Sequence, residues 1–163
     1  MLIGPPGAGK STVAKYLAKE LQMPCIDTDQ LIEKETGRDI SEIFLTDGEA
    51  FFRGLEKETV LRVLQESDSI VALGGGSVLD SDIEKRLKEF RNVFFLDVSI
   101  SNAAPRVGFN RDRPLLVGNP RQQWLALMEK RRPTYERIAT RTFSTDNKKP
   151  QEVAREIALV LAS

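Results

Sequence analysis

Gly4-Pro5-Pro6-Gly7-Ala8-Gly9-Lys10-Ser11 fits the pattern G-x-x-x-x-G-K-[ST], a loop whose chemistry is the grip of a phosphate chain. It follows the apolar Met1-Leu2-Ile3 and opens a run in which Val13, Ala14, Leu17, Ala18 and Leu21 recur at helical spacing. Wrapping a phosphate needs several backbone N–H groups at one point, and Gly7 and Gly9 can adopt the conformations that bring them there. The phosphate then sits at a helix N-terminus, where orphan N–H groups and the helix dipole favour negative charge. Lys10 would place a point charge on the β and γ phosphates, and the Ser11 hydroxyl could reach Mg²⁺. Gly7, Ala8, Gly9, Lys10, Ser11 and Thr12 are the expected contacts with a nucleoside triphosphate such as ATP.

A second group of reactive side chains is Asp27-Thr28-Asp29, at the end of Met23 to Asp27, which reads as a short buried strand. Residues two apart on an extended backbone point the same way, so both carboxylates would emerge at the strand's C-terminal end, where parallel sheets bind ligands. Asp27 would serve the Mg²⁺ shell, and Asp29 would accept a proton from a substrate hydroxyl. The structural alternative makes Asp29 the cap of a helix from Gln30 to Glu35.

Gly74-Gly75-Gly76 follows the apolar Ile70-Val71-Ala72-Leu73, and three glycines at a strand end would let a ligand approach the backbone. From Ala104 to Arg121, the arginines Arg106, Arg111, Arg113 and Arg121 stand among Pro, Gly and Asn, as in a cationic flap that could donate an arginine to a transferring phosphoryl group. Arg53 and Glu56, three apart on a helix, read first as a solvated ion pair of little energetic worth. Arg53 and Arg131 would also suit a small carboxylate, which a guanidinium holds in bidentate fashion.

Composition narrows the field. The chain has 163 residues, 40% apolar and 29% charged, enough for one domain with a real core. Its 24 basic and 24 acidic residues cancel, so no net positive field favours nucleic acid. With no histidine, Ser-His and Cys-His nucleophiles and histidine-bound zinc are excluded. The single Cys25 excludes an internal disulfide and reads as a small buried residue. No apolar run has the length of a membrane span and no signal peptide precedes the loop, so a cytoplasmic location is expected.

The elements that must position these residues alternate between strand and helix. Asp39 to Gln65 reads as helical with a break at Asp47-Gly48; Ile40, Ile43 and Phe44 form one apolar face, and Phe51, Phe52, Leu55, Val60, Leu61 and Leu64 another. Ser81 to Phe90 reads as a helix capped by Ser81, Val93 to Val98 as a strand, and Gln122 to Tyr135 as a helix interrupted at Arg131-Arg132-Pro133. Thr140 to Thr145 reads as a weak strand, and Pro150 opens a last amphipathic helix with Val153, Ile157, Val160 and Leu161 inward. The expected architecture is a single α/β domain around a parallel sheet. A small-molecule kinase is the reading these features share.

From Met1 to about Leu161 the chain resembles the shikimate kinases. The resemblance rests on the loop at 4–11, Asp-Thr-Asp at 27–29, Ile-Phe-Leu-Thr-Asp-Gly-Glu at 43–49 and Phe-Arg at 52–53. It continues with Gly-Gly-Gly-Ser-Val at 74–78, Arg-Pro-Leu-Leu at 113–116 and Arg-Arg-Pro-Thr-Tyr at 131–135. It implies a P-loop NTPase fold of the nucleoside monophosphate kinase type, with a five-stranded parallel sheet in the order 2-3-1-4-5. One kinase domain would span 1–163, with a shikimate-binding segment at about 30–65 and a lid at about 106–121.

The implied reaction is transfer of the ATP γ-phosphate to the 3-hydroxyl of shikimate, on the route to chorismate and the aromatic amino acids. By the same resemblance Lys10, Asp29 and Arg113 are catalytic, and Ser11 and, through water, Asp27 serve Mg²⁺. Asp29, Arg53, Arg131 and the Gly74–Gly76 backbone hold shikimate, with Glu56 orienting Arg53. Arg106, Lys148 and Pro150 border the adenine. Lys148 stands where the family commonly has arginine, and the first strand is shorter than usual. A monomer is expected. Two other readings compete: a kinase for another polyol acid such as gluconate, and a nucleotide-dependent switch without catalysis. Loss of Asp29, Arg53, Arg113 or Arg131 would mark the switch, and all four are present.

Overall fold

Short runs of β-branched and aromatic residues form the strands, because a strand covered on both faces needs no polar alternation. The computed structural model of the chain describes residues 1–66, 68–107 and 119–163. Among them five parallel strands form one sheet in the order β2-β3-β1-β4-β5: β1 Leu2–Ile3, β2 Cys25–Asp27, β3 Ile70–Ala72, β4 Phe94–Asp97 and β5 Arg141–Ser144. The order is the one the resemblance implies. Although β1 is two residues long it is central, with Leu2 paired to both Ala72 and Phe94. The ladder runs on beyond it, since Leu73 N–H donates to the Leu2 carbonyl and Phe94 N–H to that of Met1.

The described helices are α1 Lys10–Leu21, α2 Thr28–Thr36, α3 Ile40–Thr46, α4 Glu49–Glu66, α5 Ser81–Leu87, α6 Ile100–Val107, α7 Pro120–Ile138 and α8 Pro150–Leu161. α1 packs on α8, where Val13, Ala14, Leu17 and Ala18 meet the apolar face carrying Val153, Ala154, Ile157 and Ala158. The main core runs from these helices through Leu2, Ile3, Val71, Phe95 and Leu96 to Trp124, Met128 and Tyr135 of α7. A separate small core, Ile32, Ile43 and Phe52, ties α2, α3 and α4 together, with the Phe44 and Phe52 rings 4.7 Å apart. Burying a side chain such as Phe52 contributes about 1.5–3 kcal/mol toward holding these three helices together.

Several local expectations change. Cys25 is exposed, because β2 is the sheet's edge strand and has no neighbour on one side. The cap of α5 is Asp80, not Ser81; its carboxylate accepts from the N–H groups of Asp82 and Ile83. Phe51 is 49% exposed while Phe52 is buried, so the α4 face is narrower than the run of apolar residues suggests. α7 continues through Pro133, where burial of Arg131, Thr134, Tyr135 and Ile138 on either side outweighs one lost backbone hydrogen bond. The stretch from Ala104 is not all flap: Arg106 lies in the last turn of α6, and Arg121 lies in the first turn of α7, which Asn119 caps. Arg111 and Arg113 lie outside the described residues.

Candidate active site

The phosphate loop folds as its glycines require. Gly7 and Gly9 have φ of 84° and 81°, in the left-handed region, and Gly9 caps α1. A Cβ on Gly7 would also stand 2.7 Å from Val107 Cγ2, so the loop closes against α6 only with glycine there. The Lys10 ammonium donates to the carbonyls of Gly4 (2.8 Å) and Pro5 (3.1 Å), which folds it over the loop. Trp124 Nε1 donates to the Pro6 carbonyl at 3.0 Å and ties the start of α7 to the same loop. Its apolar neighbours mark Trp124 as core, and nothing in the local sequence marks the second role.

Asp27, rather than Asp29, caps α2. Its Oδ1 accepts from the N–H groups of Asp29 (3.0 Å) and Gln30 (3.1 Å), while its Oδ2 accepts from the Ser11 hydroxyl. The strand therefore ends at Asp27, and Asp29 lies in the first helical turn rather than two residues along an extended chain. Both carboxylates still face the same space. A cavity of about 400 Å³ is lined by loop residues from Pro6 to Val13, including Thr12, and by Arg106, Lys148 and Pro150. A second, of about 530 Å³, is lined by Ile40, Phe44, Phe52, Arg53 and Arg131 among others. Asp27 and Asp29, with Pro6, Ser11 and Gly75, line both.

At the far side of the first cavity, Arg106 donates to Thr145 Oγ1 (3.1 Å) and the Thr145 carbonyl (2.9 Å), and reaches the Gly7 carbonyl at 3.4 Å. Lys148 pairs with Glu156 at 2.7 Å, which holds it at the cavity edge.

The glycine triplet has a use that composition does not reveal. A Cβ on Gly74 would lie 2.5 Å from Asp29 Oδ1 and 2.8 Å from Glu56 Oε1, and one on Gly76 would lie 2.6 Å from the Arg53 guanidinium. Three charged side chains thus rest directly on this backbone. Gly75 and Gly76 line the second cavity, whereas Gly74 lies behind it, with its N–H donating to Thr28 Oγ1 at 3.1 Å. Arg53 and Glu56 are not a solvated pair: Glu56 is 3% exposed and accepts from Arg53 at 2.7 Å. Glu49 at 3.5 Å and the face of Phe52 also hold the guanidinium. Arg131 is buried, 8% exposed, on the same cavity. Tyr135, one turn further along α7, belongs to the Arg-Arg-Pro-Thr-Tyr stretch, which by itself assigns it no role; its hydroxyl donates to the Gly75 carbonyl at 2.6 Å.

Burial pushes the Glu56 carboxyl above its usual value of 4.5, the Arg53 guanidinium draws it back, and nearby Asp29 raises it while Arg131 lowers it. A raised folded-state pKa means the native protein binds that proton more tightly than the unfolded chain. Stability assigned to Glu56 is therefore greatest at low pH and declines as pH climbs from about 4.5 through the folded-state value. Relative to Glu56→Gln, the wild type should lose melting temperature across that window, as thermal scans at successive pH values would show. An equal slope in both proteins would remove Glu56 as the cause.

Among the described residues no cluster of three or more His, Cys, Asp or Glu could cage a metal, and no helix is long and apolar enough to cross a membrane. Beside the loop the Ser11 hydroxyl and the Asp27 carboxylate stand together as hard oxygen donors, an arrangement that suits a Mg²⁺ taking its other ligands from water and phosphate.

A family model described as shikimate kinase matches residues 6–162. A shikimate kinase of Rhodococcus jostii is 44% identical over 163 residues, covering 99% of this chain and 96% of that protein. One from Streptomyces coelicolor is 47% identical over 155 residues, covering 95% and 90%. Among solved structures, shikimate kinase from Acinetobacter baumannii in complex with shikimate has a TM-score of 0.94 at 33% identity, over 99% of this chain and 91% of that one. A phosphate loop and a paired-arginine cavity that share two carboxylates, together with these full-length matches, place the chain in the shikimate kinase family.

Proposed function

We propose that this chain transfers the γ-phosphoryl group of ATP to the 3-hydroxyl of shikimate, giving shikimate 3-phosphate and ADP. The observation that carries this is the position of Asp29, on the shared wall of a phosphate-loop cavity and a cavity ending in Arg53 and Arg131. ATP phosphates lie on the backbone of Gly7, Ala8 and Gly9, with Lys10, Ser11 and Thr12 at the start of α1, and the base lies toward Arg106, Lys148 and Pro150. The shikimate carboxylate meets Arg53 and Arg131, and its ring lies among Ile40, Phe44 and Phe52.

Asp29 then receives the proton of the 3-hydroxyl as that oxygen bonds to the γ-phosphorus, while the bond to the β-phosphate oxygen breaks and ADP leaves. Lys10 follows the charge onto the leaving phosphate. Arg113, outside the described residues, is assigned the equatorial oxygens of the transferring group. Ser11 and Asp27 would hold Mg²⁺, which would supply positive charge to offset that of the ATP phosphates.

A coupled ADP-release assay with ATP and Mg²⁺ tests the reading by comparing shikimate, gluconate and no acceptor. Turnover with shikimate alone is expected. Equal turnover with gluconate, or nucleotide binding without turnover, would overturn it.

A further inference from the structure

We propose that Tyr135 is a positioning residue for the acceptor's carboxylate: its hydroxyl locks the carbonyl of Gly75, the residue against which the Arg131 guanidinium rests, and so fixes where that guanidinium stands. This inference rests on the shikimate reading above.

Arg53 and Arg131 form a thin wall rather than the end of a solid core. Behind them lies a third cavity of about 530 Å³, lined by Leu79, Ile83, Ala126 and Leu127 and reaching Glu56 and Gly76. Open space behind a guanidinium means packing alone cannot fix its plane, so hydrogen-bonding partners must. Arg53 has Glu56, Glu49 and the Phe52 ring. For Arg131, the neighbouring groups are the Tyr135 hydroxyl, Glu56 and the backbone of Gly75, on which an added Cβ would sit 3.3 Å from its Nη1.

Tyr135 is itself well placed to be a fixed point. It is fully buried, and its ring stacks on Phe95 of the central sheet at 5.1 Å. Burial pushes its pKa up to about 12, with the Arg131 cation working against that rise, so the hydroxyl keeps its proton at any assay pH. It therefore remains a donor to Gly75. A trans peptide points its N–H away from its C=O, so holding the Gly75 carbonyl also sets the direction of the Gly76 N–H, next to Arg53. One hydroxyl, anchored in the core, thereby sets the backbone and Arg131 together.

Tyr135→Phe removes only this hydroxyl and keeps the ring on Phe95. KM and kcat should be measured for shikimate and for its methyl ester, which has no carboxylate charge, alongside KM for ATP. The wild type should turn over shikimate with a much lower KM than the ester. In the variant, KM for shikimate should rise on the order of tenfold, with kcat and KM for ATP nearly unchanged and KM for the ester little altered. An equal loss on acid and ester, no loss on either, or a parallel rise in KM for ATP would overturn the proposal. Partial unfolding would not blur the result, because a ratio of two KM values does not depend on the concentration of active enzyme. In Arg131→Ala, the same tyrosine change should add little; full additivity would also overturn the coupling. Failure of the wild type to phosphorylate shikimate would instead overturn the functional reading, a distinct outcome.

Discussion

Asp29→Asn is expected to lower kcat for shikimate phosphorylation by a factor on the order of 10³, within the range for loss of a general base, while KM for ATP stays near wild type. Asparagine keeps the size and one oxygen of the side chain, so the shared wall between the two cavities survives and only proton acceptance is lost. The location supports so large an effect. Asp29 is in the first turn of α2, where the helix dipole favours its negative charge, and Gly74 lies close enough that a Cβ there would meet Oδ1 at 2.5 Å. Asp27 beside it is committed to the α2 cap and to Ser11, and Glu56 to Arg53. Steady-state kinetics with saturating ATP decide the matter: a rise in shikimate KM without a fall in kcat would leave Asp29 as a binding group rather than the base.

Arg131→Ala should act on the other axis and reduce kcat/KM for shikimate by a factor of about 10² to 10³, mostly through KM. A buried guanidinium that meets a carboxylate through a fork of N–H donors is worth several kcal/mol on truncation, about 2–5 kcal/mol in comparable buried pairs. Part of that loss comes from the protein itself. Arg131 lowers the Glu56 pKa, so its removal makes Glu56 harder to ionise and weakens the hold on Arg53. Arg131→Lys should recover only a small part, because an ammonium offers a point charge without the fork. Titration of each variant with shikimate by calorimetry, with and without ADP, reads the affinity directly. Unchanged affinity together with a lower kcat would assign Arg131 to the transferring phosphoryl group instead.

What could be read from the chain without its fold was whatever is encoded within a few residues. The phosphate loop belongs to this class, because the positive φ of Gly7 and Gly9 and the helix that starts at Lys10 are local matters. So does the break at Asp47-Gly48, where Gly48 has a φ of 89°. Strand and helix alternation followed from periodicity, and the order of the strands came with the resemblance to a family rather than from the pattern itself.

Errors gathered where a neighbour in space decides. An apolar stretch shows that Cys25 belongs to a strand, but only the sheet order makes that strand an edge and leaves the thiol exposed. Two aspartates two apart can be called co-directional only if the strand continues, and it stops at Asp27 because that carboxylate is drawn into capping α2. The helix α6 was hidden by a proline and flanking polar residues, and α7 crosses Pro133 because its buried face holds it against the core.

The sequence by itself determined the chemistry available: a phosphate loop, two acids, three glycines and a set of arginines. The tertiary structure alone decided which of these touch. It brought Tyr135 to Gly75 across 60 residues, Trp124 to Pro6 across 118, and Arg53, Glu56 and Asp29 onto one glycine backbone. The physical reason is that periodicity records which face of an element is apolar, whereas a buried charge gains its partner only when the sheet order sets separate elements side by side.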